Sequence, residues 1–120
     1  MGGRSTIVAA VRVVLIDDHT MFREGLLGLL SRSEGIEVVG DSPTGEGALD
    51  LLRGERPDVV ITQIDMDLRA AKEILARVRG ASPDSRIVVL TMFDNLRYVQ
   101  ALSRLGIAPT YTRALPRRGS

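Results

Sequence analysis

The sequence predicts an α/β protein built on a parallel sheet with helices on both faces. Two observations predict it. Short segments rich in Val, Ile and Leu alternate with longer segments whose apolar residues recur at helical spacing. The short segments are apolar throughout rather than alternating, as in strands covered on both faces. A third observation locates the business end: the first strand, Val11-Arg12-Val13-Val14-Leu15-Ile16, stops abruptly at two carboxylates, Asp17 and Asp18. In open α/β sheets the carboxyl ends of the strands are where ligands bind.

The elements follow in order. Residues 1–10, with Gly2-Gly3 and few anchors, are expected to be a flexible lead-in. After the first strand, Thr20 to Ser31 is expected as a helix with Phe22, Leu26, Leu29 and Leu30 inward and Arg23 and Glu24 outward. Ile36 to Val39 is a short strand stopped by Gly40. Pro43-Thr44 opens a second helix with Ala48, Leu51 and Leu52 on one face and Gly54 as its stop. A third strand covers Asp58 to Thr62. A third helix covers Asp67 to Arg79, with Leu68, Ala71, Leu75 and Val78 inward and Asp67 as its N-cap. Arg86 to Thr91 is a fourth strand, Asn95 to Leu105 a fourth helix, and Thr110 to Thr112 a weak fifth strand.

Composition narrows the function. A chain of 120 residues is one domain by length, and a net charge of +1 supplies no general attraction to nucleic acid or membrane. There is no Cys and only one His, which removes thiolate zinc sites, disulfides and His-based metal centres. The N-terminal apolar run is interrupted by Arg12 and is far too short to span a bilayer, so a cytoplasmic protein is expected. The Arg-rich stretch from Arg113 to Arg118 carries no interleaved aromatic residues and reads as a solvated end.

Several motifs then carry a resemblance. Leu15-Ile16-Asp17-Asp18-His19, Arg23-Glu24-Gly25-Leu26, Ile36-Glu37-Val38-Val39-Gly40, Arg56-Pro57-Asp58-Val59-Val60, Ala81-Ser82-Pro83-Asp84 and Val89-Leu90-Thr91-Met92-Phe93-Asp94 resemble a bacterial response-regulator receiver domain of the NarL/LuxR type. The likeness spans residues 11–113, leaving 114–120 as a C-terminal tail. It implies a flavodoxin-like, CheY-like, doubly wound sheet of order 2-1-3-4-5. It also implies phosphoryl transfer from a histidine kinase to an Asp at the end of the third strand, with Mg2+ held beside it. The acidic pair of that family corresponds to Asp17 and Asp18, and its hydroxyl position to Thr91. Its Lys corresponds to Arg113. The phosphoacceptor lies six residues past Pro57, where this chain has Gln63. The Pro expected four residues later is Asp67, and the only lysine, Lys72, lies in the third helix.

An amide is neither anionic nor usefully nucleophilic, so Gln63 cannot form an acyl phosphate. The expectation is a degenerate pocket of Asp17, Asp18, Gln63, Thr91 and Arg113 that signals without phosphoryl transfer, with no enzymatic activity, no cofactor and at most weak Mg2+ at Asp17 and Asp18. In this pocket the Gln63 amide could donate to either carboxylate, and Arg113 could fork onto one. Bland readings stand beside it: Asp17 and Asp18 as local hydrogen-bonding groups, Thr91 as a strand terminator, His19 and Asp65 as loop residues. Two alternatives are Asp65 as a displaced phosphoacceptor and a small-metabolite-binding module.

The family's fifth helix has no apolar periodic counterpart here, and a helix-turn-helix output domain is absent, so DNA contact is expected only through a domain outside this chain. That pattern suits a domain cut from a longer transcription regulator or a truncated one. With that helix missing, Phe22, Leu26 and Leu29, over Val13 and Leu15, are expected to form an exposed apolar face that pairs two copies in a homodimer.

Overall fold

A computed structural model describes residues 10–64, 67–91, 100, 104 and 111–112. The chain runs β1 (Val11–Ile16), α1 (Thr20–Ser31), β2 (Ile36–Ser42), α2 (Gly45–Glu55), β3 (Val59–Ile64), α3 (Leu68–Ala81), β4 (Arg86–Thr91) and a two-residue β5 (Tyr111–Thr112). All strand pairs are parallel and the order is β2-β1-β3-β4-β5. Helical crossovers between parallel neighbours are what this arrangement requires. Gln100 and Arg104 are helical, within the segment where a fourth helix is expected. The rest of that helix, the lead-in over 1–9, Asp65, Arg113 and the tail 114–120 lie outside the described residues.

Strand alternation sorts the core. Val14 and Ile16 of β1, Val60 of β3, and Ile87 and Val89 of β4 point to one face, where Ala48, Leu49 and Leu52 of α2 and Ala71, Leu75 and Val78 of α3 cover them. Val13 and Leu15 take the opposite face, on the side of the sheet that meets α1. Both are buried, at 3% and 0% exposure, which corrects the expectation of bare sheet residues beneath α1. The exposed apolar surface lies on α1 itself: no residue of that helix is fully buried, Phe22 and Leu26 are half-buried, and Leu29 and Met21 are 59% and 86% exposed.

α3 runs two residues past the expected Arg79, to Ala81, and three other boundaries differ from the sequence reading for a local physical reason. β2 runs through Gly40 to Ser42, because Gly40 is a close-approach residue rather than a breaker. A Cβ there would stand 2.8 Å from Leu51 Cδ1. The register slips beside it: Val13 pairs with Val38 but Val14 with Gly40, leaving Val39 as the extra residue of a bulge. α2 does not stop at Gly54. It ends with Arg56 in the left-handed conformation (φ 47°), whose N–H donates to the Leu52 carbonyl at 2.9 Å, ahead of buried Pro57. β3 extends through Gln63 to Ile64, paired with Leu90 and Thr91 of β4.

At the C-terminal edge, α2 and α3 start on side-chain caps. Thr44 Oγ1 accepts from Gly47 N–H and Asp67 Oδ1 from Ala70 N–H, both at 2.9 Å. α2 and α3 cross closely at Gly45, where a Cβ would fall 2.5 Å from Ile74 Cγ1.

Candidate functional site

The site forms where β1 and β3 end side by side. Ile16 pairs with Thr62, so the next residues along, Asp17 and Gln63, emerge from neighbouring strands at the same level. Asp17 still belongs to the ladder: its N–H donates to the Ser42 carbonyl at 3.0 Å. Its side chain is 1% exposed, whereas Asp18, one residue on, has an exposed side chain. The backbone turns between them, so both carboxylates reach one crevice.

His19 keeps the loop position expected of it, whereas Arg23 leaves the outward one. His19 is the N-cap of α1 without capping it through its side chain. Its imidazole Nδ1 lies 3.1 Å from Asp17 Oδ1 and 3.0 Å from Asp18 Oδ1, and the His19 backbone N–H donates to Asp17 Oδ1 at 2.9 Å. The three side chains place ligand atoms within 4.8 Å of one another. Arg23 was expected on the outer side of α1. It folds back instead, donating from Nη1 to the Asp17 carbonyl at 2.5 Å and pairing through Nε with Asp41 Oδ2 at 3.2 Å. Arg23 thereby ties α1 and β2 to the turn that aims the acidic pair.

Among the described residues, two buried acceptors in the site have no hydrogen-bond partner: Asp17 Oδ2 and Gln63 Oε1. The Gln63 amide therefore does not donate to Asp17 Oδ2, and no hydrogen bond joins it to Asp18. Buried oxygens left in this state favour a donor or a cation. Thr91 ends β4, its backbone paired beside Ile64 of β3 and Thr112 of β5. The structure thus brings Asp17, Asp18 and Gln63 to one edge with the Thr91 backbone. Arg113, which follows β5, and Asp65 lie outside the described residues.

The comparisons agree with this geometry. The family model described as the response regulator receiver domain matches residues 13–112. The chain is 33% identical over 100 residues to the transcriptional regulatory protein DegU of Brevibacillus brevis, covering 80% of this chain and 41% of that protein. It is 31% identical to the response regulator GacA of Pseudomonas aeruginosa over 103 residues, covering 86% and 48%. The chain therefore spans less than half the length of these curated relatives. Among solved structures it resembles the signal receiver domain of the response regulator NarL from Mycobacterium tuberculosis. That likeness has a TM-score of 0.77 and 31% identity, covering 90% of this chain and 87% of that one. A parallel sheet of this strand order, an acidic pair at the end of β1 and a match across almost the whole chain have one meaning: the chain belongs to the response regulator receiver domain family, with relatives of the NarL type.

Proposed function

We propose that this receiver domain takes its input without an acyl phosphate on β3. The observation that carries the reading is Gln63, which stands beside the buried Asp17 where the family's phosphoacceptor is expected. Acyl phosphate formation requires a carboxylate oxygen to attack phosphorus, and the amide offers none at neutral pH. The two unpartnered oxygens, with the Asp18 carboxylate, form an all-oxygen set of the kind that suits Mg2+. Asp17, Asp18 and Gln63 would hold it, and the ion would supply neutralising charge at the crevice. With one anionic ligand fewer than a three-carboxylate set, its binding is weak. His19 and Arg23 keep the acidic pair in place, the first through Nδ1 and the second through the Asp17 carbonyl.

In this reading the domain is a non-enzymatic regulatory part of a cytoplasmic transcription regulator, contacting DNA only through a separate output domain. Supporting observations are the regulator names of DegU and GacA and the absence, among the described residues, of a helix long and apolar enough to cross a membrane. Incubation of the folded protein with acetyl phosphate and Mg2+, followed by intact-mass measurement, is expected to show no added phosphoryl group. A stable phosphoryl adduct mapped to the C-terminal edge of the sheet, at Asp65 for example, would overturn the reading.

Self-association belongs to the same proposal. Leu29 and Met21 expose large apolar side chains on α1, a helix with no fully buried residue. Sedimentation at micromolar concentration is expected to give twice the 13.0 kDa protomer mass, and Leu29→Glu to return the monomer. A folded wild-type monomer under those conditions contradicts the pairing.

A further inference from the structure

Beside the acidic pair lies a crevice of about 700 Å3 between the first turn of α2 and the flank of α3, closed below by the ends of β1 and β3. We propose that it binds a small organic cation: an apolar body carrying a protonated amine or amidine. The inference rests on the preceding reading only in making this ligand a signal. The binding itself follows from the crevice.

Volume and lining set the size and the body of the ligand. A cavity of this volume falls within the range of roughly 300–1,000 Å3 typical of small-molecule sites. Ile16, Ile74, Leu75 and Val78 supply an apolar wall. Three of them are almost fully buried in the core, and Gly45 fixes the fourth, Ile74, by admitting α2 so close to α3. The wall is therefore held by the packing of the domain.

Charge sets the sign of the head group. The lining includes three carboxylates, Asp18, Glu46 and Glu73, against one guanidinium, Arg77. That guanidinium is already engaged, donating from NH2 to Glu46 Oε2 at 2.8 Å, and so bridges α3 to α2. Glu73 has no ion pair among the described residues. Gln63 also lines the crevice, and its buried Oε1 lacks a donor. An ammonium supplies up to three donors and a positive charge, which Glu73 and the buried Gln63 Oε1 do not receive from Arg77. An anion would meet the Glu73 carboxylate, with Arg77 already turned to Glu46. The N-terminal end of α2 offers it little, because Thr44 already accepts from Gly47 N–H and Glu46 occupies the first turn.

The test uses phenylbutylamine, phenylbutanol and phenylbutyrate, which share one apolar body and differ in head-group charge. Each is titrated into the 15N-labelled full chain by NMR. Phenylbutylamine is expected to give saturable amide shifts clustered on Thr44–Glu46 and Glu73–Arg77, with an affinity about tenfold above that of phenylbutyrate. Glu73→Gln, an exposed position, is expected to weaken the amine several-fold and to leave phenylbutanol unchanged. Three results overturn the proposal: no saturable shifts with the amine, equal binding of amine and carboxylate, or shifts confined to another face. Acetyl phosphate labelling of the unsubstituted chain would refute the phosphorylation-independent reading instead, and the amine titration would stand apart from it.

Discussion

Gln63→Asp is expected to gain a phosphoryl group from acetyl phosphate in the presence of Mg2+, where the unsubstituted protein is expected to gain none. The reasoning starts from the strand. Gln63 is the penultimate residue of β3, held by pairing with Leu90, so a substitution changes the side chain without moving the backbone. Aspartate puts a carboxylate next to Asp17 and Asp18. One of its oxygens attacks phosphorus, the bond from phosphorus to the acetate oxygen breaks, and acetate leaves with the electron pair. The same substitution adds a third anionic ligand, so Mg2+ affinity is expected to rise on the order of tenfold, read by calorimetry or by a fluorescence titration. Intact mass decides the first outcome. An unlabelled Gln63→Asp variant that nonetheless binds Mg2+ tightly would show that more than the acceptor has been lost from the pocket. Folding cost also has a sign: a third carboxylate beside buried Asp17 is unfavourable without the cation, so the variant is expected to be less stable in chelator than in Mg2+.

The fold was legible where apolar pattern alone decides. α1 and β4 start and stop where the periodicity and the punctuation place them, and Ala71, Leu75 and Val78 face inward on α3 as their spacing requires. Gly40 misled because a glycine's meaning depends on what approaches it. Its neighbour is Leu51, from a helix that follows it in the chain, and no local rule carries that contact. Arg56 misled for a related reason: a non-glycine left-handed cap carries no compositional mark beyond the Pro that follows. At the sheet's edge, the placement of Asp17, Asp18 and Gln63 at the ends of β1 and β3 was legible, because motif spacing reports strand ends. His19 and Arg23 were not. Their contacts depend on how tightly the chain turns after β1, which lets a side chain at one end of α1 reach back over the preceding turn. An Arg four residues past a loop His was the available signal, and helical periodicity alone assigned it to solvent.

Leu52→Ala is expected to cost about 2–5 kcal/mol, as truncation of a fully buried leucine does. Leu52 is 0% exposed and belongs to the cluster that joins α2 and α3 to β1, β3 and β4. Removal of its isobutyl group forfeits the transfer energy and leaves a void, because the strands beneath are pinned by parallel pairing and cannot collapse into it. For a domain whose total stability is about 5–15 kcal/mol this is a large share. It should lower Tm by roughly 10 °C and move the urea midpoint with an unchanged slope. Leu51→Ala supplies the control, with the same chemistry one residue away. Leu51 is half-buried and packs on Gly40 at the edge of the core, so its truncation removes less covered surface and opens toward solvent. About half the loss is expected, on the order of 1–2 kcal/mol. Equal losses at the two positions would mean that α2 sits rotated from the orientation described, with Leu51 rather than Leu52 directed at the sheet.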